Sequence, residues 1–390
     1  MTMKYDFWSP MQIVFGWGRR SELGKLAATV GTRAFLISGS RTLEICGVIE
    51  SAAASLEEQG LRVHRFSAAS REPEVADVDR LVSELVMSEP CATDVIVAVG
   101  GGSTIDLAKA AAALVQNRHG HSVVEFLEGV GKGLQITHRP LPMIAVPTTA
   151  GTGAECTKNA VISSYDAPFK KSLRSDWMIP KIVLVDPELT VSLPSHTTAF
   201  TGMDAITQLI ESFISRRAAP IPQAMALRGL KLALPALPVA VRDGANRESR
   251  EAMAHAAMLS GLALANSGLG LAHGVAAALG VHCQVPHGQA CAMLLPTALR
   301  VNQQAREVEL AELESLFESR PLTNPELAEG FIRRIEGLCL EVGIPVRLRD
   351  VGVLEEQIPA LVTGSRGNSM SGNPRDVADD ELSRILHDLW

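Results

Sequence analysis

Aromatic residues make up only 4% of this 390-residue chain, which removes most of the stacking surface that a single-strand nucleic-acid groove needs. Long basic runs are missing too. The 36 Lys and Arg stand against 43 Asp and Glu, for a net charge of -7 and a pI near 5.8, so nucleic acid and anionic membranes are not expected partners. The six cysteines (Cys46, Cys91, Cys156, Cys283, Cys291 and Cys339) form no CxxC pair and no tight framework, and read as buried free thiols. No uninterrupted apolar run of membrane-spanning length is expected, and MTMKYDFWSP lacks a basic stretch followed by an apolar one. A cytoplasmic protein acting on small molecules is the expectation.

What the chain does have is a globular composition, 46% hydrophobic and 20% charged, and a length that favours two domains. Short β-branched runs at 33–37, 95–99, 143–146 and 182–185 read as buried parallel strands. Helical periodicity at 49–59, 78–87 and 104–115 lies between them, so 1–190 is predicted to be a doubly wound α/β domain. Beyond Pro194 the texture changes to Ala/Leu-rich stretches at 199–215, 222–234 and 250–264, and 191–390 is predicted to be an all-helical domain. DPELTVSLPS, at 186–195, marks the boundary, and the polar 364–374 is read as a loop.

The strand at 95–99 runs into Gly100, Gly101, Gly102 and Ser103 and then a helix. Glycines let the backbone approach an anion, and the helix's first N–H groups face it with partial positive charge. The order is neither GxGxxG nor GK[ST], and a tight strand-to-helix turn with no ligand has the same pattern. A second such junction, PTTAGTGAE at 147–155, follows the strand at 143–146. Two Gly-rich turns after separate strands strengthen the ligand reading, because open α/β sheets bind outside the carboxyl ends of their strands.

In the helical half, Asp204 and Gln208 are four apart and share a helix face. His273 and His287 lie on separate predicted elements that could converge on them. Carboxylate, amide oxygen and two imidazoles would suit Fe(II), Zn(II), Co(II), Ni(II) or Mn(II). Histidines on apolar helices also serve as hydrogen-bonded core residues, so spacing leaves both readings open.

The series GGGSTIDLAK, PTTAGTGAECTKNAVI, LVDPELTVSLP, TGMDAITQLIE, HGVAAALGVHCQVPHG and SGNPR resembles the iron-containing (group III) alcohol dehydrogenase family over the whole chain. The resemblance implies an α/β dinucleotide-binding domain, an all-helical metal-binding and catalytic domain, a cleft between them and a homodimer. It also implies NAD(P)-dependent interconversion of an alcohol and an aldehyde or ketone. By position, Gly100 to Ser103 would hold the pyrophosphate of NAD or NADP, with Asp106 of the same motif in the cofactor site. Thr148, Thr149 and Thr152 would line the dinucleotide, and Lys171 would approach its ribose. A divalent metal, Fe2+ or Zn2+, would be held by Asp204, Gln208, His273 and His287, with Asn159, Leu264 and Met370 facing the substrate.

Three positions depart from the family pattern. Gln208 stands where a third histidine is usual, and a neutral amide is the poorer donor toward a borderline metal. Ala277 stands where many members carry another histidine near the substrate, and His282, five residues on, is the candidate replacement among the catalytic residues. Gly39 stands where NAD-preferring relatives have an aspartate, so a 2′-phosphate is tolerated and Ser40 or Arg41 could hold it. Three rivals stay in view: a metal-independent, maleylacetate-reductase-like enzyme; a non-redox cyclase of the dehydroquinate-synthase kind, which shares the two-domain architecture; and a non-catalytic nucleotide-binding protein, which Gln208 and Ala277 would suit.

Overall fold

The computed structural model describes residues 4–68 and 71–390, which form two compact units. One contains Trp8–Thr149 and Ala154–Thr190; the other contains Val191–Trp390 together with Ala150–Gly153.

The first unit is built on β1 (Gln12–Phe15), β2 (Arg33–Ser38), β3 (Arg62–Ser67), β4 (Asp94–Gly100), β5 (Met143–Pro147) and β8 (Ile182–Val185). Among the described residues these six strands form one parallel sheet in the order β1-β8-β5-β4-β2-β3. Successive side chains of a strand alternate between faces. Phe35, Ile37, Ile96, Ala98 and Ala145 therefore enter one core, and Ala34, Leu36, Val95, Val97, Val99 and Ile144 enter the other. Helices α4 (Val75–Met87) and α5 (Gly102–Leu114) cover the first face, while α1 (Leu23–Ala28) and α3 (Val48–Glu58) cover the second. Burial on both faces explains why the central strands read as continuous apolar runs. The sequence reading missed β1 and β3, the two edge strands, and also the antiparallel hairpin of β6 (Asn159–Ser164) and β7 (Phe169–Arg174). Strand β3, RVHRFS, is largely exposed and has no apolar run to betray it.

Topology decides where this sheet can bind a ligand. From β2 the chain moves outward to β3, then returns to β4 on the other side of β2 and continues to β5 and β8. The direction reverses between β2 and β4, which opens a crevice beyond their carboxyl ends. Register places Ser38 beside Val99 and Gly100 beside Pro147. Gly39, Gly101 and Thr148 thus leave the sheet at one edge.

The second unit holds α6 (Ser195–Ile214), α7 (Pro220–Arg242), α8 (Arg247–Ala265), α9 (Leu271–Cys283), α10 (His287–Asn302), α11 (Glu307–Glu314), α12 (Asn324–Glu341), α13 (Ile358–Gly364) and α14 (Asp379–Leu389). Helices α6, α7 and α8 pack mutually, and α10 packs on both α6 and α9. Helix α7 is long and apolar enough to span a bilayer by length and composition, although its apolar run is interrupted. It carries Arg228 and Lys231, and its Leu230, Ala233, Leu237 and Ala240 are wholly buried in the unit. The predicted loop at 364–374 begins on Gly364, the last residue of α13, and is otherwise irregular apart from a short 3-10 turn, Met370–Gly372.

Candidate functional site

Three helices of the second unit bring Asp204, His273 and His287 together. Asp204 lies mid-way along α6, His273 in the first turn of α9, and His287 at the first position of α10. His273 Nε2 is 3.3 Å from Asp204 Oδ1, His287 Nε2 is 3.9 Å from the same oxygen, and the two rings are 5.6 Å apart. The close approach of α10 to α6 depends on Gly288, where a Cβ would come within 2.5 Å of Phe200 O.

Glu211, absent from the sequence-predicted set, organises this cluster. Its Oε2 accepts from Gly270 N–H at 2.9 Å and lies 2.7 Å from His273 Nδ1, while Oε1 accepts from Ala272 N–H at 2.8 Å. The carboxylate caps the start of α9, where N–H groups have no partner within the helix. A proton on Nδ1 is then donated to Glu211, and Nε2 turns its lone pair toward Asp204. Two lone pairs 3.3 Å apart in a buried site need a cation between them, either a proton or a metal ion. Glu211 follows Gln208 by three residues on the same face of α6, which is the signal that could have found it.

Cys291 is the second residue the sequence reading passed over. It lies one turn after His287 on α10, with Sγ 3.7 Å from His287 Nε2. The donor atoms of Asp204, His273, His287 and Cys291 all fall within 4.8 Å of one another. Carboxylate, imidazole and thiol are the donors that borderline divalent metals take, so this chain's residues fit the metal its resemblance implies. Gln208 is buried on the same helix as Asp204, and its Oε1 accepts from Ser260 Oγ at 3.2 Å.

The charge states agree with a cation site. Burial works against ionisation of Asp204, but the hydrogen bond from His273 and the nearby His287 hold its carboxyl below the usual aspartate value. Burial likewise works against an imidazolium at His273, yet the carboxylates of Asp204 and Glu211 hold it well above an ordinary histidine. Burial pushes the Cys291 thiol up to about 12.

In the first unit, Gly100 ends β4, and Gly101, Gly102 and Ser103 open α5, whose N-cap residue, Gly101, has no side chain to cap it. Free first-turn N–H groups of this kind favour an anion. A Cβ on Gly101 would come within 3.3 Å of Thr149, and Thr148 N–H donates to Gly100 O at 3.0 Å. Across the switch point, Gly39 follows β2, Ser40 caps α2 (Arg41–Ile45) by accepting from Leu43 N–H, and Arg41 is exposed.

Other sequence-predicted residues fall elsewhere. Asp106 faces inward: its Oδ2 accepts from Val161 N–H at 3.0 Å, and its Oδ1 lies 2.9 Å from Lys109 Nζ. Lys109, fully buried, also donates to Ala154 O, Thr157 Oγ1 and Asn159 O, tying α5 to the start of β6. Lys171 is on β7 opposite Ile162, and Asn159 opens β6. Thr152 belongs to Ala150–Gly153 and so to the helical unit. There Gly153, at φ +60°, lies so close to α8 that a Cβ would be 2.5 Å from Gly261 Cα. This glycine serves packing against α8. Leu264 is half-buried near the end of α8, and Met370 packs beside Gly274, next to His273. His282 is not brought to the cluster. Nine residues beyond His273 is about half a turn round α9 and ~13 Å along it, and there the ring meets Gly364 of α13.

Comparison with known proteins bears on the same residues. Positions 10–187 match the family described as "Iron-containing alcohol dehydrogenase", and 198–390 match "Fe-containing alcohol dehydrogenase family, C-terminal". The chain is 31% identical over 385 residues to the NAD-dependent methanol dehydrogenase of Bacillus methanolicus, with 98% of each chain covered. It is 33% identical to a 1,3-propanediol dehydrogenase of Klebsiella pneumoniae, with 99% of each covered. A solved structure of a 1,3-propanediol oxidoreductase superposes with a TM-score of 0.92 at 30% identity, covering all of both chains. The chain belongs to the iron-containing alcohol dehydrogenase family, and is thereby an oxidoreductase of CH–OH groups that works with a nicotinamide cofactor and a metal.

Proposed function

We propose that Asp204, His273 and His287 hold the divalent metal, Fe2+ or Zn2+, and that Gly100 to Ser103 with Thr148 and Thr149 hold the NAD(P) diphosphate, for hydride transfer between nicotinamide C4 and a short-chain alcohol or aldehyde. The observation that supports this is the approach of two imidazole nitrogens to one buried carboxylate oxygen. When bound, the metal supplies Lewis acidity toward the substrate oxygen. Glu211 keeps a proton on His273 Nδ1, so that Nε2 stays available as a donor. The uncapped start of α5 binds and orients the diphosphate. Small alcohols and diols are the proposed substrate class, since relatives of similar length are named for methanol and 1,3-propanediol. A net charge of -7 without basic runs supports a small-molecule partner over nucleic acid or membrane; with the family resemblance, we propose a cytoplasmic homodimer.

The test is metal analysis of anaerobically purified protein, alongside NADH and NADPH oxidation with a panel of short aldehydes. His287→Ala and Asp204→Asn should lose metal and turnover together. If His287→Ala turns over at the wild-type rate, or the metal-free protein is fully active, the metal-independent mechanism replaces this one. Product formed without net NAD(P)H consumption would instead indicate the cyclase chemistry.

A further inference from the structure

We propose that Cys291 Sγ is a metal ligand, making the set Asp204, His273, His287 and Cys291 and leaving Gln208 outside it; this rests on the metal reading above. Cys291 is wholly buried and shares one face of α10 with His287, four residues earlier, so both donors point into the same space. A tetrahedral ion with metal–sulfur bonds of about 2.3 Å and metal–nitrogen or metal–oxygen bonds of about 2.0–2.1 Å has S···N edges near ~3.6 Å and N···O edges near ~3.3 Å. The corresponding separations are 3.7 Å between Cys291 Sγ and His287 Nε2, 3.3 Å between His273 Nε2 and Asp204 Oδ1 and 3.9 Å between His287 Nε2 and Asp204 Oδ1, all four donors lying within 4.8 Å of one another, so that the metal would draw them slightly together.

Gln208 fits the role less well. Its amide oxygen already takes a hydrogen bond from Ser260 Oγ, and it is neutral, whereas a thiolate is a charged, soft donor that borderline metals prefer. The chain thus loses an imidazole at 208 and carries a thiol at 291, keeping four protein donors. Metal binding breaks the Cys291 S–H bond, forms a metal–sulfur bond and releases the proton to solvent. No electron is transferred in that step.

The experiment adds cobalt(II) to the full-length, metal-stripped protein and follows its spectrum, together with affinity by competition against a chromophoric chelator. Wild type should show a near-ultraviolet thiolate-to-cobalt charge-transfer band. Cys291→Ser and Cys291→Ala should lose that band and bind cobalt more than roughly tenfold more weakly, beyond the low end of what loss of an outer-sphere partner does. Gln208→Ala should keep the band. The wild-type spectrum is decisive even if a variant folds poorly: cobalt bound with no thiolate band overturns this inference alone. A band that survives in both Cys291 variants overturns it as well. No cobalt binding at all overturns it together with the metal reading on which it rests.

Discussion

His273 spans two buried carboxylates, with Nδ1 2.7 Å from Glu211 Oε2 and Nε2 3.3 Å from Asp204 Oδ1. The two contacts make different demands on the ring. Glu211 is held by the N–H groups of Gly270 and Ala272 and needs the imidazole as a donor. Asp204 faces the nitrogen that remains, and that nitrogen reaches it through a cation. Glu211 therefore acts on the site through His273, as a positioning residue.

Replacing Glu211 with Gln removes the charge at the start of α9 and turns one acceptor into a donor facing N–H groups. Zinc affinity, read by chelator competition, should fall by roughly ten- to a hundredfold, the usual effect of losing an outer-sphere partner of a ligating histidine. Unchanged affinity would show that Glu211 serves α9 alone.

The metal-free protein should lose stability as pH rises. His273 has a folded-state value well above the ordinary 6.5, because the carboxylates of Asp204 and Glu211 outweigh the opposing effect of burial. The imidazolium's contribution is therefore present in full below 6.5 and is lost as pH rises through the folded-state value. Metal needs Nε2 unprotonated, so proton competition weakens over the same range. Melting temperatures with and without zinc, from about pH 6 to about pH 9, should diverge with rising pH. A constant gap would contradict the assigned protonation.

Glu155, buried in the α/β unit, has its carboxyl pushed up by burial from 4.5 to about 7. The folded state thus holds a proton that the unfolded chain gives up between those values, so this group's contribution to stability falls as pH rises from 4.5 to about 7 and is flat above. Glu155→Gln should be close to neutral at low pH and should stabilise the protein by on the order of 2 kcal/mol above neutrality. Denaturant midpoints at the two extremes measure this; equal effects at both would mean that burial does not shift the Glu155 carboxyl.

Cofactor preference tests the crevice between β2 and β4. With Gly39 in place of an acidic residue, NADPH should bind at least as well as NADH. Gly39→Asp should move the preference toward NADH by about 1–3 kcal/mol, through a hydrogen bond to the ribose and repulsion of the 2′-phosphate. A wild-type preference for NADH of about tenfold or more would show that discrimination lies elsewhere.

The buried strands and their helices could be read directly because each has a local cause. A strand covered on both faces needs an apolar residue at every position, as β4 does at 95–99. A helix with one buried face shows a period of 3.6, and that period also placed Asp204 and Gln208 side by side. Edge strands escape such a reading. Residues of β3 are mostly solvated and carry no apolar run.

What the sequence determined by itself was the order and type of the main elements, the glycine turn at 100–103 and the shared helix face of Asp204, Gln208 and Glu211, since each depends on neighbours a few residues away. Only the tertiary structure decided which distant residues meet. Asp204, His273 and Cys291 are separated by 69 and 18 positions in the chain, and they meet because α10 packs on α6 and α9, an approach that Gly288 permits. His282 is nearer to His273 in sequence than either Asp204 or Cys291, yet the helix turns it away toward α13. Local spacing fixes direction on one helix, but which helices face one another is set by burial of side chains along their whole lengths, and no single motif carries that information.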